Sequence, residues 1–126
     1  MEKLVITCAL AGAITSKLQT PYVPDSPEEM AEEAYRAFNA GAHVVHLHAR
    51  DAKGKERDRV DVLNETVARI KEKCDIITQV GTGNTDHTGY RQTFDERLKL
   101  LDMNPKPDME TINAGSFSLY AKSKKA

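Results

Sequence analysis

Short apolar runs alternate with amphipathic segments along this chain, and that alternation constrains the fold more than any other feature of the sequence. The runs at 4–10, 43–48 and 76–80 predict strands, and a shorter run at 109–113 predicts a fourth. The first run is apolar without interruption, which is typical of a strand buried on both faces. Because strands that alternate with helices pair in parallel, the sequence predicts a parallel sheet.

Three helices are predicted between these strands. Ser26 can cap the first helix, Pro27 suits its first turn, and Glu29 completes a capping box. Gly41 is well placed for the left-handed residue that follows the last turn of this helix. A second capping box, at 93–96, starts the third helix. The apolar helix faces are expected to consist of Met30, Ala34, Ala37 and Phe38, of Val60, Leu63, Val67 and Ile70, and of Phe94, Leu98 and Leu101.

Two architectures fit four strands and three helices in strict alternation. One is a small open doubly wound sheet, and the other is part of a (β/α)8 barrel. A complete barrel takes about 250 residues, whereas this chain has 126. No predicted helix follows the fourth strand to cover its face, which favours part of a larger fold.

The charge balance and hydropathy exclude several kinds of partner. Lys and Arg number 18 and Asp and Glu number 19, giving a net charge of -1, whereas nucleic-acid binding needs clustered positive charge. No stretch approaches the roughly 20 apolar residues of a membrane-spanning helix. Residues 1–4 lead directly into the first strand and not into the core of a signal peptide. We therefore expect a cytoplasmic protein that binds neither nucleic acid nor membranes.

His46 and His48 form the most informative motif. Alternate side chains of a strand point to the same face, so both imidazoles converge while Leu47 lies opposite. At the carboxyl end of a buried parallel strand, where such folds place their active sites, two converging imidazoles predict a zinc (Zn²⁺) site. The alternative is a pair of hydrogen-bonded polar strand residues.

A catalytic zinc site has three protein ligands, and the sequence offers no convincing third. Strand parity directs Asp51 and Glu110 away from the imidazoles, His43 is at the opposite end of its strand, and His87 is in a loop. We therefore expect the missing ligand to lie outside this chain.

Other polar residues are predicted at the same edge of the sheet. Arg50 shares the parity of the two histidines and suits either a substrate carboxylate or a salt bridge. The glycine-containing turn at 80–84 can cradle an anion with its N–H groups, or it is an ordinary tight βα turn. Thr111 and Asn113 share one strand face, which indicates either a polar cavity or a mutually hydrogen-bonded pair.

These segments resemble the β-keto acid cleavage enzymes, the family typified by the 3-keto-5-aminohexanoate cleavage enzyme of lysine fermentation. The resemblance covers essentially the whole chain. It is carried by the segments Leu4-Val5-Ile6-Thr7, Ala11-Gly12-Ala13, Pro24 to Glu29, Ala40-Gly41-Ala42, His46-Leu47-His48-Ala49-Arg50-Asp51, Thr82-Gly83 and Thr111-Ile112-Asn113-Ala114-Gly115. It implies an α/β fold of the (β/α)8 TIM-barrel family. Residues 1–126 then form a single domain that is the truncated N-terminal half, with about the first four βα units.

The resemblance also implies a reaction, which belongs to amino-acid catabolism. A β-keto acid, polarised by zinc at the mouth of the barrel, reacts with acetyl-CoA, and acetoacetate and a new acyl-CoA are released. The family pattern assigns zinc binding to His46 and His48. It assigns substrate binding to the positions of Ile14, Gly81, Asn84 and Thr111. The family's glutamate zinc ligand and its acid/base groups lie in the second half of the barrel, so the catalytic residues are expected outside this chain.

Two residues depart from the family pattern. Ile14 stands where the aminohexanoate enzyme has a glutamate for the amino group of its substrate, and Gly81 lacks the usual hydroxyl. A buried ammonium group without a partner is costly to desolvate. We therefore expect a substrate without an amino group.

Two other functions fit the motif. Amidohydrolase barrels also carry paired histidines, but on their first strand, whereas here the run at 4–10 precedes them. The second is a non-catalytic half barrel, or a subunit that needs a partner. Its first and fourth strands would have open edges that favour pairing with another chain, so we expect a homo-oligomer.

Overall fold

The computed structural model describes residues 3–12, 15–49, 60–81 and 93–111 of the chain. Within these ranges strands and helices alternate in the predicted order. The elements are β1 (Thr7–Ala9), α1 (Pro27–Asn39), β2 (Val44–Leu47), α2 (Val60–Lys73), β3 (Ile77–Val80), α3 (Phe94–Leu98) and β4 (Met109–Glu110), with a 3₁₀ helix at Lys99–Asp102 directly after α3.

The sheet topology distinguishes between the two architectures. All described strand pairs are parallel, and their order is β1-β2-β3-β4. A doubly wound sheet reverses its strand order at a switch point, and no reversal occurs among the described strands. In addition, α1 and α2 pack into one core with β2 and β3, so both helices cover the same face of the sheet. This is the arrangement of a barrel wall.

The core lies between the helical layer and one face of the sheet. Val45 and Leu47 of β2 are fully buried at its centre. The helices contribute buried Ala31, Ala34, Leu63, Val67 and Ile70. The apolar face predicted for α2 is thus confirmed, and that of α1 is confirmed except for Phe38, which is exposed. None of the helices in the described ranges combines the length and apolar character needed to cross a membrane.

The first strand differs from the prediction. The run at 4–10 was expected to form a strand buried on both faces, but β1 covers only Thr7–Ala9, and Leu4 and Val5 are 77% and 67% exposed. The reason is position in the sheet. β1 is at the edge of the described sheet and pairs only with β2 there, so its apolar residues have fewer neighbours than those of β2.

The third helical segment and the fourth strand also differ in detail. The predicted face of Phe94, Leu98 and Leu101 is exposed, and Leu100 is buried instead. The chain changes from α to 3₁₀ geometry at Lys99–Asp102, and the tighter turn rotates the later residues relative to an α-helical pattern. β4 is assigned to Met109–Glu110, and residues 112 and 113 of the predicted strand lie outside the described ranges.

Asp108 joins the start of β4 to β3. Its Oδ2 accepts hydrogen bonds from the backbone N–H and the hydroxyl of Thr78, both at 2.9 Å. Its Oδ1 pairs with Lys71 of α2 at 3.0 Å. Burial acts to raise the pKa of Asp108, but the bonds from Thr78 and Lys71 together outweigh it and hold that pKa below its usual value. The carboxylate also satisfies the fully buried Thr78 hydroxyl.

The capping box predicted for α1 is present. The Glu29 N–H donates to Ser26 Oγ at 3.2 Å, and the Ser26 N–H donates to Glu29 Oε2 at 3.4 Å. Gly41, just past the helix, has a φ of 98°, which is the left-handed conformation expected there. Glu29 also accepts a hydrogen bond from Lys17 at 2.6 Å and one from the Asp25 N–H at 3.0 Å. The bond from Lys17, followed by that from Asp25, lowers the pKa of Glu29 to about 2.

We expect acid to weaken the attachment of α1 through this carboxylate. Because the pKa of Glu29 is about 2 in the fold and ordinarily 4.5, its charge stabilises the fold above about pH 4.5, and this contribution is lost as the pH falls towards 2. Glu29→Gln keeps an acceptor for the capping box but removes the charge. It should lower the free energy of unfolding by about 0.5–1 kcal/mol near neutral pH, as expected for an exposed ion pair, and by less near pH 2. Urea unfolding at several pH values measures this.

Glu33→Gln is the matched control on the same helix. Glu33 pairs with Arg36 at 2.9 Å but has no part in the N-terminal cap. An equal loss of stability in both variants, independent of pH, would contradict the role given to Glu29.

Candidate metal centre

His46 and His48 converge at the carboxyl end of β2, as predicted. Leu47 between them is buried in the core, so the two imidazoles emerge on the other face of the sheet. Their rings meet edge to face, with centroids 4.9 Å apart and an interplanar angle of 76°. The two Nε2 atoms are 3.1 Å apart. The structure thus brings two nitrogen donors to one point.

Gln79 contacts the first of these imidazoles and was missed in the sequence. It lies on β3 as the register partner of His46, and its Oε1 is 2.9 Å from His46 Nδ1. The sequence does contain a signal, because Gln79 has a long polar side chain in a mainly apolar strand segment that ends at a glycine. Its pairing with His46 depends on the strand register, which a single sequence does not specify.

Gly81 lies directly against both imidazoles. A Cβ atom at this position would be 3.3 Å from His46 Cε1 and 3.4 Å from His48 Cε1. Its φ is outside the left-handed region, so close packing, and not backbone conformation, favours glycine here. Gly81 therefore leaves room for the two rings, and its predicted contact with substrate stays a prediction.

Three further residues lie at the places in the sheet that the sequence predicted for them. The Thr111 N–H donates to the Val80 carbonyl at 3.1 Å, so Thr111 lies beside Gly81 at the carboxyl edge of the sheet. Glu110 is the register partner of Val80, on the face opposite the imidazoles. His43 is at the amino end of β2, where its Nδ1 accepts a hydrogen bond from the Ile6 N–H at 3.3 Å.

Several predicted site residues lie outside the described ranges. Their proposed roles therefore stay predictions. They are Ile14, Arg50, Asp51, Asn84, His87 and Asn113.

The arrangement of the two histidines fits part of a zinc site. Two nitrogen ligands of a tetrahedral zinc ion, each about 2.0–2.1 Å from the metal, lie about 3.3–3.4 Å apart. The observed Nε2 separation is 3.1 Å, so small ring movements would admit the ion. Within the described ranges no group of three His, Cys, Asp or Glu side chains is placed to hold a metal. This part of the chain supplies two donors.

Comparison with known proteins decides the family. A family model described as beta-keto acid cleavage enzyme matches residues 3–125. The chain belongs to the beta-keto acid cleavage enzyme family. This confirms the resemblance found in the sequence and decides against the amidohydrolase alternative.

Curated relatives agree with this assignment. The chain is 37% identical over 122 residues to the 3,5-dioxohexanoate:acetyl-CoA acetone transferase of Paraburkholderia graminis, covering 94% of this chain and 38% of that protein. It is 38% identical over 117 residues to the 3-keto-5-aminohexanoate cleavage enzyme of Fusobacterium nucleatum, covering 92% and 41%. The chain thus spans about two fifths of the length of these relatives.

Solved structures show the same fold. The ternary complex of ObcA with a C4-CoA adduct and oxalate matches with a TM-score of 0.62 and 26% identity, over 76% of this chain and 24% of that one. Apo ObcA matches with a TM-score of 0.55 and 29% identity, over 68% and 20%. Together with the parallel sheet, these matches confirm the predicted fold class, a (β/α)8 barrel family member covering about the first four βα units.

Gly81→Ala is expected to destabilise the protein and disturb both imidazoles. The added methyl group would crowd His46 and His48, so the free energy of unfolding should fall by about 1 kcal/mol, the low end for overpacking. The ring-proton resonances of both histidines should shift. Urea unfolding and NMR spectra measure the two effects.

Gly12→Ala is the control, because nothing lies within 4 Å of a Cβ at that position. There the substitution should be neutral or stabilise by up to about 1 kcal/mol through the unfolded state. A similar gain of stability in Gly81→Ala would show that the rings are not packed against Gly81.

Proposed function

We propose that this chain supplies the zinc-binding half of a β-keto acid cleavage enzyme, which converts a β-keto acid and acetyl-CoA into acetoacetate and a new acyl-CoA. The observation that carries the proposal is the 3.1 Å approach of His46 Nε2 to His48 Nε2 at the carboxyl end of β2, in a member of this family. Barrels of this class build their active sites at that end. Three relatives whose names give keto substrates or acetyl-CoA support the choice of substrates.

Five of the predicted site residues have a part in this proposal. His46 and His48 would hold the zinc ion, and Gly81 provides the space that their rings need. Bound zinc would supply a Lewis acid for the carbonyl and carboxylate oxygens of the keto acid. Thr111, beside Gly81, would donate a hydrogen bond to the substrate, and Asn84 is proposed as a further contact.

The third metal ligand and the acid/base groups are assigned to strands that complete the barrel, in the same chain or in a partner chain. Two observations support this. The described residues supply two metal donors, and β1 is an edge of the described sheet with exposed Leu4 and Val5 beside it. Further strands, or a second copy in a homo-oligomer, would cover that edge.

The two-donor arrangement sets the expected zinc affinity. The 126-residue chain should bind zinc weakly, because two imidazoles supply half of a four-coordinate shell. His48→Ala should abolish this binding, measured by competition with a chromophoric chelator. His43→Ala should leave it unchanged, because that histidine is at the other end of β2 and bonds to the Ile6 N–H.

Two results would contradict the proposal. One is stoichiometric zinc that survives dialysis and is unaffected by His48→Ala. The other is acetoacetate formation from a β-keto acid and acetyl-CoA by a compact monomer of this chain, since catalysis is assigned to the assembled barrel.

The substrate of the assembled barrel is proposed to be a neutral or anionic β-keto acid without an amino group. Ile14 offers no counter-charge for an ammonium group, which would be costly to desolvate. Turnover of an unaminated β-keto acid should therefore exceed that of 3-keto-5-aminohexanoate. Ile14→Glu should raise turnover of the aminated substrate and lower that of an anionic one, measured as acetoacetate release. Equal turnover of both substrates before the substitution would contradict this specificity.

A further inference from the structure

Gln79 makes a directed contact with the ring nitrogen of His46 that does not face His48. The parallel register pairs His46 with Gln79 on adjacent strands, so both side chains lie on the same face of the sheet. Gln79 Oε1 is 2.9 Å from His46 Nδ1, and both side chains are partly buried. The proposed function gives no role to this contact.

We propose that Gln79 is a positioning residue that holds His46 in the Nδ1–H tautomer, so that Nε2 offers its lone pair to the metal. The inference rests on the zinc site proposed above. A carbonyl oxygen can only accept a hydrogen bond, so the nitrogen facing it carries the proton. In a neutral ring the other nitrogen is then the acceptor and the metal ligand.

The same contact distinguishes the two histidines. If His46 carries its proton on Nδ1, its Nε2 can only accept, so the proton between the two Nε2 atoms belongs to His48. Zinc binding then requires His48 to move that proton from Nε2 to its Nδ1, with solvent as the carrier. His46 needs no such change. Gln79 therefore holds one of the two proposed ligands, His46, in the metal-binding tautomer before the metal binds.

The position of Gln79 on the sheet shows that its side chain is not part of the hydrophobic core between the sheet and the helices. Its neighbours Thr78 and Val80 are buried on the helix-covered face, whereas Gln79 lies on the opposite one. Ile77 shares that opposite face and is 40% exposed. Ile77→Ala thus removes a side chain from the same face of β3 without removing the contact to His46, and it serves as the matched control.

The first experiment reads the tautomer without any metal. In two-bond proton–nitrogen NMR spectra of the metal-free protein, recorded at alkaline pH where imidazole is neutral, His46 should show the Nδ1–H form and His48 the Nε2–H form. Gln79→Ala should move His46 towards the Nε2–H form, which a free histidine side chain prefers in water. Gln79→Glu keeps an acceptor oxygen and should preserve the Nδ1–H form, as should Ile77→Ala.

The second experiment measures zinc affinity by chelator competition. Loss of an outer-shell partner of a metal-bound histidine typically costs about 10–100-fold in affinity, so Gln79→Ala should weaken binding by about tenfold or more. Gln79→Glu should restore binding to the original level or better, and Ile77→Ala should leave it unchanged.

Each experiment can contradict the positioning role without the other, and failure of the zinc proposal can be distinguished from failure of the positioning role. An Nδ1–H tautomer that persists in Gln79→Ala overturns the positioning role, whatever the zinc affinity. Unchanged zinc affinity in Gln79→Ala overturns it as well. If the original protein binds no zinc, the zinc proposal falls, and the tautomer of His46 in Gln79→Ala alone decides whether Gln79 orients the ring.

Discussion

The burial of Leu47 is the constraint from which the site follows. Its side chain lies in the core among residues of α1 and α2, and it occupies the position between two histidines. Because strand side chains alternate, filling the core with Leu47 forces His46 and His48 onto the other face of the sheet. A register shift of one residue would bury both imidazoles among apolar side chains and expose Leu47, at a cost in free energy from both changes. The packing of the helices thus determines which face carries the chemistry.

The parallel register determines which residues of the neighbouring strands lie on the same face of the sheet as the imidazoles. Pairing of His46 with Gln79 brings an amide oxygen to His46 Nδ1, and two residues later Gly81 lies against both rings. Asp108 then positions β4, since its carboxylate binds Thr78 on β3 and Lys71 on α2. The bond between Thr111 and Val80 follows from that placement. A surface carboxylate remote from the imidazoles therefore helps to determine where a proposed substrate-binding threonine lies.

The parts of the structure predicted well from sequence are those that local chemistry determines. The cap at Ser26, the left-handed Gly41 and the convergence of His46 and His48 each depend on residues close together in the chain. Two of the errors concern neighbours that are distant in the chain. The burial of the run at 4–10 depends on what lies beyond β1, and the contact between Gln79 and His46 spans 33 positions. Leu100 was missed because the 3₁₀ turn changes the helical period within a few residues.

Gly81 shows how packing changes the meaning of a departure from a family pattern. The missing hydroxyl at this position first indicates a lost substrate contact. In the structure, a Cβ there would crowd His46 Cε1 and His48 Cε1, so any larger side chain requires the rings to move. The register that pairs Val80 with Glu110 continues to Gly81 and Thr111, which places Thr111 on the face of the imidazoles. Among the described residues, a hydroxyl group at that edge of the sheet therefore comes from Thr111, directly after β4. Directly after the neighbouring strand, Gly81 leaves space for the two rings, and within that strand Gln79 brings an amide oxygen to His46.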